Sequence, residues 1–260
     1  MANNSSLSRR AALRQQQEQE ERAARNRRIL GFGLGAVALA VVVILVVVVV
    51  QTLGQRQEVA TEQLTPPNAT EQYGILAAGK EPVDGTPHVV IYQDYQCPAC
   101  ASYEQSFGPV LTSLIEKGDI TAEFRTAHFM DANIGNDSSV RSAIAAAAAD
   151  EVGAYDAYHK AIFQAFTGSG YTDQQLRVDF PEQAGITGDD LTRFQQLYDG
   201  KAYQDFINGV EGAMRADSVT GTPTYLVDGT RLQFFDEADQ PLIQPTEESL
   251  MTAINAIHQG

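Results

Sequence analysis

Two cysteines, Cys97 and Cys100, are the only thiols in the chain, and they stand three positions apart in Asp94-Tyr95-Gln96-Cys97-Pro98-Ala99-Cys100. An apolar, β-rich run, His88-Val89-Val90-Ile91-Tyr92, precedes them, and a helical pattern from Ala101 to Lys117 follows. A strand, the cysteine pair and a helix in that order place the first sulfur at a helix N-terminus. There, unpaired backbone N–H groups and the helix dipole favour thiolate over thiol. The second sulfur, one turn on, can attack a mixed disulfide formed by the first. Pro98 suits the first helical turn because it has no N–H to satisfy. Thiol–disulfide exchange is the leading chemistry. A structural disulfide would close too small a loop to constrain the unfolded chain much. A zinc site would need two further ligands, and His88, His128, His159 and His258 show no paired ligand spacing. No metal and no cofactor is expected.

The chain has 260 residues and a net charge of −15. The charge is uneven: seven arginines (Arg9, Arg10, Arg14, Arg22, Arg25, Arg27 and Arg28) face three glutamates before residue 29, and the chain beyond residue 56 is acidic. That acidity argues against a nucleic-acid partner. Ile29 to Val50 carries no charge and is almost wholly apolar. At 1.5 Å per residue it reaches roughly 33 Å, enough to cross a hydrocarbon core as a helix. A cleaved signal peptide is the alternative, but the run exceeds a usual signal core and no A-x-A-like site follows. The arginines before the span put the N-terminus in the cytoplasm and everything after Gln51 outside. The expected organisation is a tail over 1–28, a single membrane anchor over 29–50, a polar linker over 51–80 and a globular domain over 81–260. The expected location is the cell membrane, single-pass, with the thiols in a compartment where disulfides persist.

Within the globular part, strand, helix and a second strand at 120–125 make a β-α-β unit with parallel pairing. A helical insertion spans about 137–215. It opens at Asp137-Ser138-Ser139 and carries an alanine run to Ala149. Apolar stripes at Tyr155–Phe166, Leu191–Tyr198 and Tyr203–Met214 read as core. Gly200 is placed at a helix C′ position. Asp228-Gly229 signals a hairpin, and Thr246 caps a final helix. Asn68-Ala69-Thr70 matches a glycosylation triplet of the kind that arises by chance and is set aside. The fold class is α/β.

Tyr92-x-Asp94-Tyr95-x-Cys97-Pro98-x-Cys100 after a strand, a helical insertion, and Gly221-Thr222-Pro223-Thr224 opening a hairpin strand together resemble the DsbA-like branch of the thioredoxin superfamily. The resemblance covers about residues 81–258 and implies a thioredoxin-like fold with an all-helical insertion. It implies that Cys97 is the nucleophile and Cys100 the resolving thiol. It also implies that Pro223 is cis, that Thr222 and Pro223 lie beside the cysteines, and that Thr222 offers backbone to an extended substrate. Pro98, Ala99 and Asp94 complete the expected tuning set. Ala99 stands where strongly oxidising relatives carry histidine, which predicts a milder oxidant. Ile91 stands where some relatives bury a glutamate. The implied activity is disulfide donation to unfolded or reduced secreted proteins by a monomer. The implied partner is a membrane reoxidase of the DsbB or vitamin K epoxide reductase type. A reductase or isomerase is the alternative, and a redox-silent tethered binding module is the alternative of another class.

Overall fold

The residues of β2 (His88–Gln93) alternate between two apolar cores, which is why the strand reads as an unbroken apolar run. Val89 and Ile91 face one side, against Leu111, Leu114 and Ile115. Val90 and Tyr92 face the other, against Val210, Ala213 and Met214. A strand covered on both faces has no polar side to show. A computed structural model describes residues 62–259, and the expected 1–28 tail and 29–50 anchor lie outside the described residues. Among the described residues, no helix is long and apolar enough to cross a membrane.

In chain order the elements are β1 (Ile75–Leu76), β2, α1 (Pro98–Lys117), β3 (Thr121–Thr126), α2 (Met130–Ile134), α3 (Ser138–Glu151), α4 (Tyr155–Gln164), a π-helical turn (Gln175–Asp179), α5 (Phe180–Gln183), α6 (Gly188–Asp199), α7 (Gln204–Ala216), β4 (Thr224–Val227), β5 (Thr230–Arg231) and α8 (Glu247–His258). The five strands form one mixed sheet in the order β1-β3-β2-β4-β5. β2 and β3 pair in parallel, His88 beside Thr121 through Gln93 beside Thr126, as a β-α-β unit requires. β4 returns antiparallel on the other edge of β2, so Thr224 lies beside Tyr92. This register brings the residues before β4 to the C-terminal end of β2, where the cysteines are.

The helical insertion begins earlier than expected, at Met130 rather than 137, and closes at Ala216. Its centre is α3, whose Ala143–Ala149 run is buried throughout. Alanine has no side chain beyond Cβ, so α4, α6 and α7 can pack closely around it without steric conflict. The α3 start differs in its chemistry. Asp137 makes no cap hydrogen bond and pairs with Arg141 at 2.8 Å. The free N–H groups of Ser139 and Val140 donate instead to Asp131 of α2, at 2.7 and 2.9 Å. Gly200 is right-handed (φ −77°), and the left-handed residue that turns the chain is Lys201 (φ +50°). The hairpin stands as read, with Asp228 at φ +49° and Gly229 at φ +85°. Thr246 caps α8 by accepting from Ser249 N at 3.3 Å.

The linker expected over 51–80 is already part of the domain from Leu64 onward. Leu64 N donates to Ala202 O at 2.7 Å, and Asn68 binds the Asp150 carboxylate through its backbone N (2.9 Å) and side-chain amide (2.8 Å). Ile75 and Leu76 then pair antiparallel with Phe124 and Glu123. Ile75, Leu76 and Ala77 are buried, with Leu64 and Ala69 packed against the core, but these few apolar residues are too scattered to show a periodicity in the sequence. The Asn68 amide is committed to Asp150, consistent with setting its triplet aside.

Candidate active site

Cys97 is the last extended residue before α1 (φ −76°, ψ 118°), and Pro98 occupies the first helical position. The Cys97 N–H donates to Asp94 O at 3.0 Å, which fixes the turn from strand to helix. Its Sγ accepts from Cys100 N at 3.4 Å. From the other side, Thr222 presents its carbonyl 3.3 Å from the same sulfur, where the neutral thiol donates to it. The Thr222–Pro223 peptide is cis. The structure therefore brings together Cys97, Pro98, Ala99, Cys100, Thr222 and Pro223. The two thiols are free, Pro98 and Ala99 are exposed, and both cysteines are buried.

The two sulfurs differ electrostatically. Cys97 is lowered from 9.0 to about 6, mainly because the Cys100 thiol hydrogen-bonds to it. Burial opposes this, while Thr222 and the N–H groups of Cys100 and Ala99 add to it. The Thr222 hydroxyl is buried without a hydrogen-bond partner and can turn its proton to the sulfur once Cys97 ionises. Cys100 is pushed well up, first by burial and then by its neighbour Cys97. At neutral pH one sulfur is a thiolate and the other a thiol that can donate to it. That is the asymmetry an attacking and a resolving cysteine need.

Asp94 does not act on the sulfurs through its side chain. It is fully buried, its Oδ1 accepting from Gln96 N (2.9 Å) and Ser139 Oγ (2.6 Å), its Oδ2 from Met130 N (3.1 Å). Burial raises it to about 6 against the pull of those three donors. Asp94 thus ties the cysteine loop to α2 and α3. Gln96, absent from the sequence-based site, does the same. Its amide donates to Asp131 (2.8 Å), Asn136 (2.9 Å) and Ser139 (2.8 Å), and its carbonyl accepts from Asn136 (2.9 Å). A glutamine in a loop gives no sequence signal for this; only the helical insertion folded against it does. Ile91 is buried in the apolar core. Among the described residues, no cluster of His, Cys, Asp and Glu is arranged to hold a metal.

The family model described as thioredoxin matches residues 79–246. The chain belongs to the thioredoxin family. The MdbA protein of Actinomyces oris, a thiol-disulfide oxidoreductase, superposes with a TM-score of 0.60 at 17% identity, over 76% of this chain and 95% of that one. The MdbA thiol-disulfide oxidoreductase of Corynebacterium diphtheriae gives 0.55 at 17% identity, over 69% and 92%. Oxidised BdbD of Bacillus subtilis gives 0.55 at 16% identity, over 76% and 100%. At these identities the likeness is one of fold. No curated protein matches the sequence. Within the thioredoxin domain, the inserted helices α2–α7 lie between β3 and β4 and hold the cysteine loop through Asp94 and Gln96.

Proposed function

We propose that this thioredoxin-family chain is a protein disulfide oxidoreductase that donates the Cys97–Cys100 disulfide to reduced, unfolded polypeptides. The observation that carries the reading is the asymmetry of the pair, with Cys97 lowered to about 6 and Cys100 raised. A substrate thiolate attacks Cys97 Sγ, the Cys97–Cys100 bond breaks, and Cys100 leaves with the electron pair and takes up a proton. A second substrate thiolate then attacks the substrate sulfur of the mixed disulfide. Cys97 departs as a thiolate, and a low-pKa thiol is the better leaving group. The substrate loses two electrons and the protein gains them.

The Thr222 edge supports a short backbone pairing that would hold an extended substrate beside Cys97. The apolar, uncharged run Ile29–Val50 and the arginines before it support a single-pass anchor with the thioredoxin domain outside the cytoplasm. Its substrates would then be secreted proteins, and a membrane reoxidase of the DsbB or vitamin K epoxide reductase type would return the pair to the disulfide. Ala99 supplies no imidazole to the thiolate, which supports a donor milder than the strongly oxidising relatives.

Cys100→Ala tests the reading. This variant keeps the attacking sulfur and loses the resolving one, so the Cys97 thiolate should attack disulfides already formed in its substrates, displace one substrate thiolate and stay joined to them as mixed disulfides that vanish on reduction. Cys97→Ala should trap nothing. Equal, empty lanes for both variants would leave a redox-silent binding module as the better account.

A further inference from the structure

A cleft of about 640 Å³ opens between α1 and α4, apart from the thiols and used by none of the chemistry above. Its size is that of a small-molecule site. The deep lining is Phe124, Phe163, His159 and the half-buried Glu104. The rings crowd together, with His159 4.4 Å from Phe124 and 5.1 Å from Phe163, centroid to centroid.

Glu104 has been given room. Gly108 stands one turn on in the middle of α1, and a Cβ there would overlap the Glu104 carboxylate, lying 2.8 Å from its Cδ. Glycine is a poor choice inside a helix, so the space has a local cause. The carboxylate is ionised: burial works to raise it, but His159 and then Lys160 hold it below its usual value. Its partner is poorly placed. His159 Nδ1 faces the Tyr95 hydroxyl at 3.1 Å and the Gln93 amide nitrogen at 3.3 Å. Nε2 is buried with no hydrogen bond, 3.5 Å from Glu104 Oε2. Among the described residues, no other donor reaches this carboxylate within hydrogen-bond distance.

Pro109, also in the lining, has no N–H, so the Gln105 carbonyl one turn back lacks its helical partner. The lining sets three acids, Glu104, Glu116 and Asp156, against Lys160 and His159. The cleft thus offers under-used acceptors and a negative balance above a floor of packed aromatic rings. An anion is repelled, and a purely apolar ligand would desolvate the carboxylate without compensation. An ammonium group satisfies the acceptors by charge-assisted hydrogen bonds, and its apolar body covers the apolar floor.

We propose that this cleft binds a small organic ammonium ion, its cationic head on Glu104 and its aryl or alkyl body along Phe124 and Phe163. The site is independent of the thiol chemistry. The test is a titration of the full-length chain with 2-phenylethylammonium, followed by ligand-observed NMR, with 2-phenylethanol as the uncharged isostere. Saturable binding of the ammonium is expected, with the alcohol at least about tenfold weaker, as loss of one charged hydrogen bond implies. Glu104→Gln should weaken the ammonium by a similar factor. Gly108→Ala, whose methyl displaces the carboxylate, should also weaken it while the alkylation rate of Cys97 stays unchanged. Cys97→Ala should bind as the wild type does. Equal affinity for alcohol and ammonium, an unchanged affinity in Glu104→Gln, or no saturable binding would each overturn the proposal.

Discussion

Acidifying the medium from pH 7 to pH 5 should remove about 1.4 kcal/mol from the stability of the reduced protein relative to the oxidised one. In the folded reduced chain Cys97 titrates at about 6, against 9.0 for an unperturbed thiol. A folded-state value below the unfolded one stabilises the fold above the unfolded pKa, and the contribution is lost as pH falls through the folded pKa. Integrating between those values, the term is about 4 kcal/mol well above pH 9, about 1.4 at pH 7 and below about 0.1 at pH 5. The oxidised chain has no thiol to titrate, so the term belongs to the reduced form alone. Asp94, raised to about 6, acts in the opposite sense: its burial destabilises the fold above pH 6, and that penalty is relieved as pH falls toward 3.8. It does so in both redox forms and cancels in the difference. For a domain of this size 1.4 kcal/mol corresponds to roughly 3–6 °C in Tm. Thermal unfolding of both forms at pH 5, 6, 7 and 8 measures the gap. A gap that stays constant across this range, or widens on acidification, refutes the assignment of Cys97 as the stabilised thiolate. Ala99→His should widen the gap at pH 7, because an imidazole beside the sulfur adds to the thiolate's support.

Asp94→Asn puts an amide donor opposite the Met130 N–H or the Ser139 and Gln96 donors, and should destabilise the oxidised protein at pH 7 by about 1–3 kcal/mol. Denaturant unfolding should also show that the variant has lost the gain in stability that the wild type makes between pH 6 and 4. Arg125 is buried between Glu123 and Asp217 and donates to the Tyr92 hydroxyl at 2.6 Å. Arg125→Met strips the buried Glu123 of its guanidinium partner, leaving it His88 and Thr70, and should cost about 3–5 kcal/mol by the same method. Protease applied outside intact cells or spheroplasts should digest the chain beyond residue 51 and spare its N-terminus; a thioredoxin domain protected until lysis would reverse the proposed orientation.

Local signals were legible in the sequence. The apolar run of β2, Pro98 at the start of α1, the Asp228-Gly229 turn and the Thr246 cap each depend on residues a few positions apart, and each stands where it was read. The approach of Thr222 to Cys97 joins residues 125 apart in sequence. Its position came from family resemblance, since no local pattern encodes it. Residues that act across the fold left no trace. Gln96 looks like any polar loop residue until α2 and α3 close over it, and Asp131 caps a helix to which it does not belong. Glu104 and Gly108 carry no sequence signal of their own, although together they place a charge inside a cleft. Residues 64–76 read as a tether because their core contacts, Leu64, Ala69, Ile75 and Leu76, are scattered among polar residues, and the pairing to β3 and Ala202 is made by backbone.

The reduction potential of the Cys97–Cys100 pair, measured by equilibration with glutathione, tests the central claim most directly. Thioredoxin, with an attacking thiol near pKa 7, lies at about −270 mV, and each unit of pKa is worth roughly 30 mV for two electrons. Because Cys97 lies below that thiol, this pair should sit above thioredoxin, in the direction of the disulfide donors and short of the strongest oxidants. A potential at or below about −270 mV would contradict disulfide donation and make the chain a reductase.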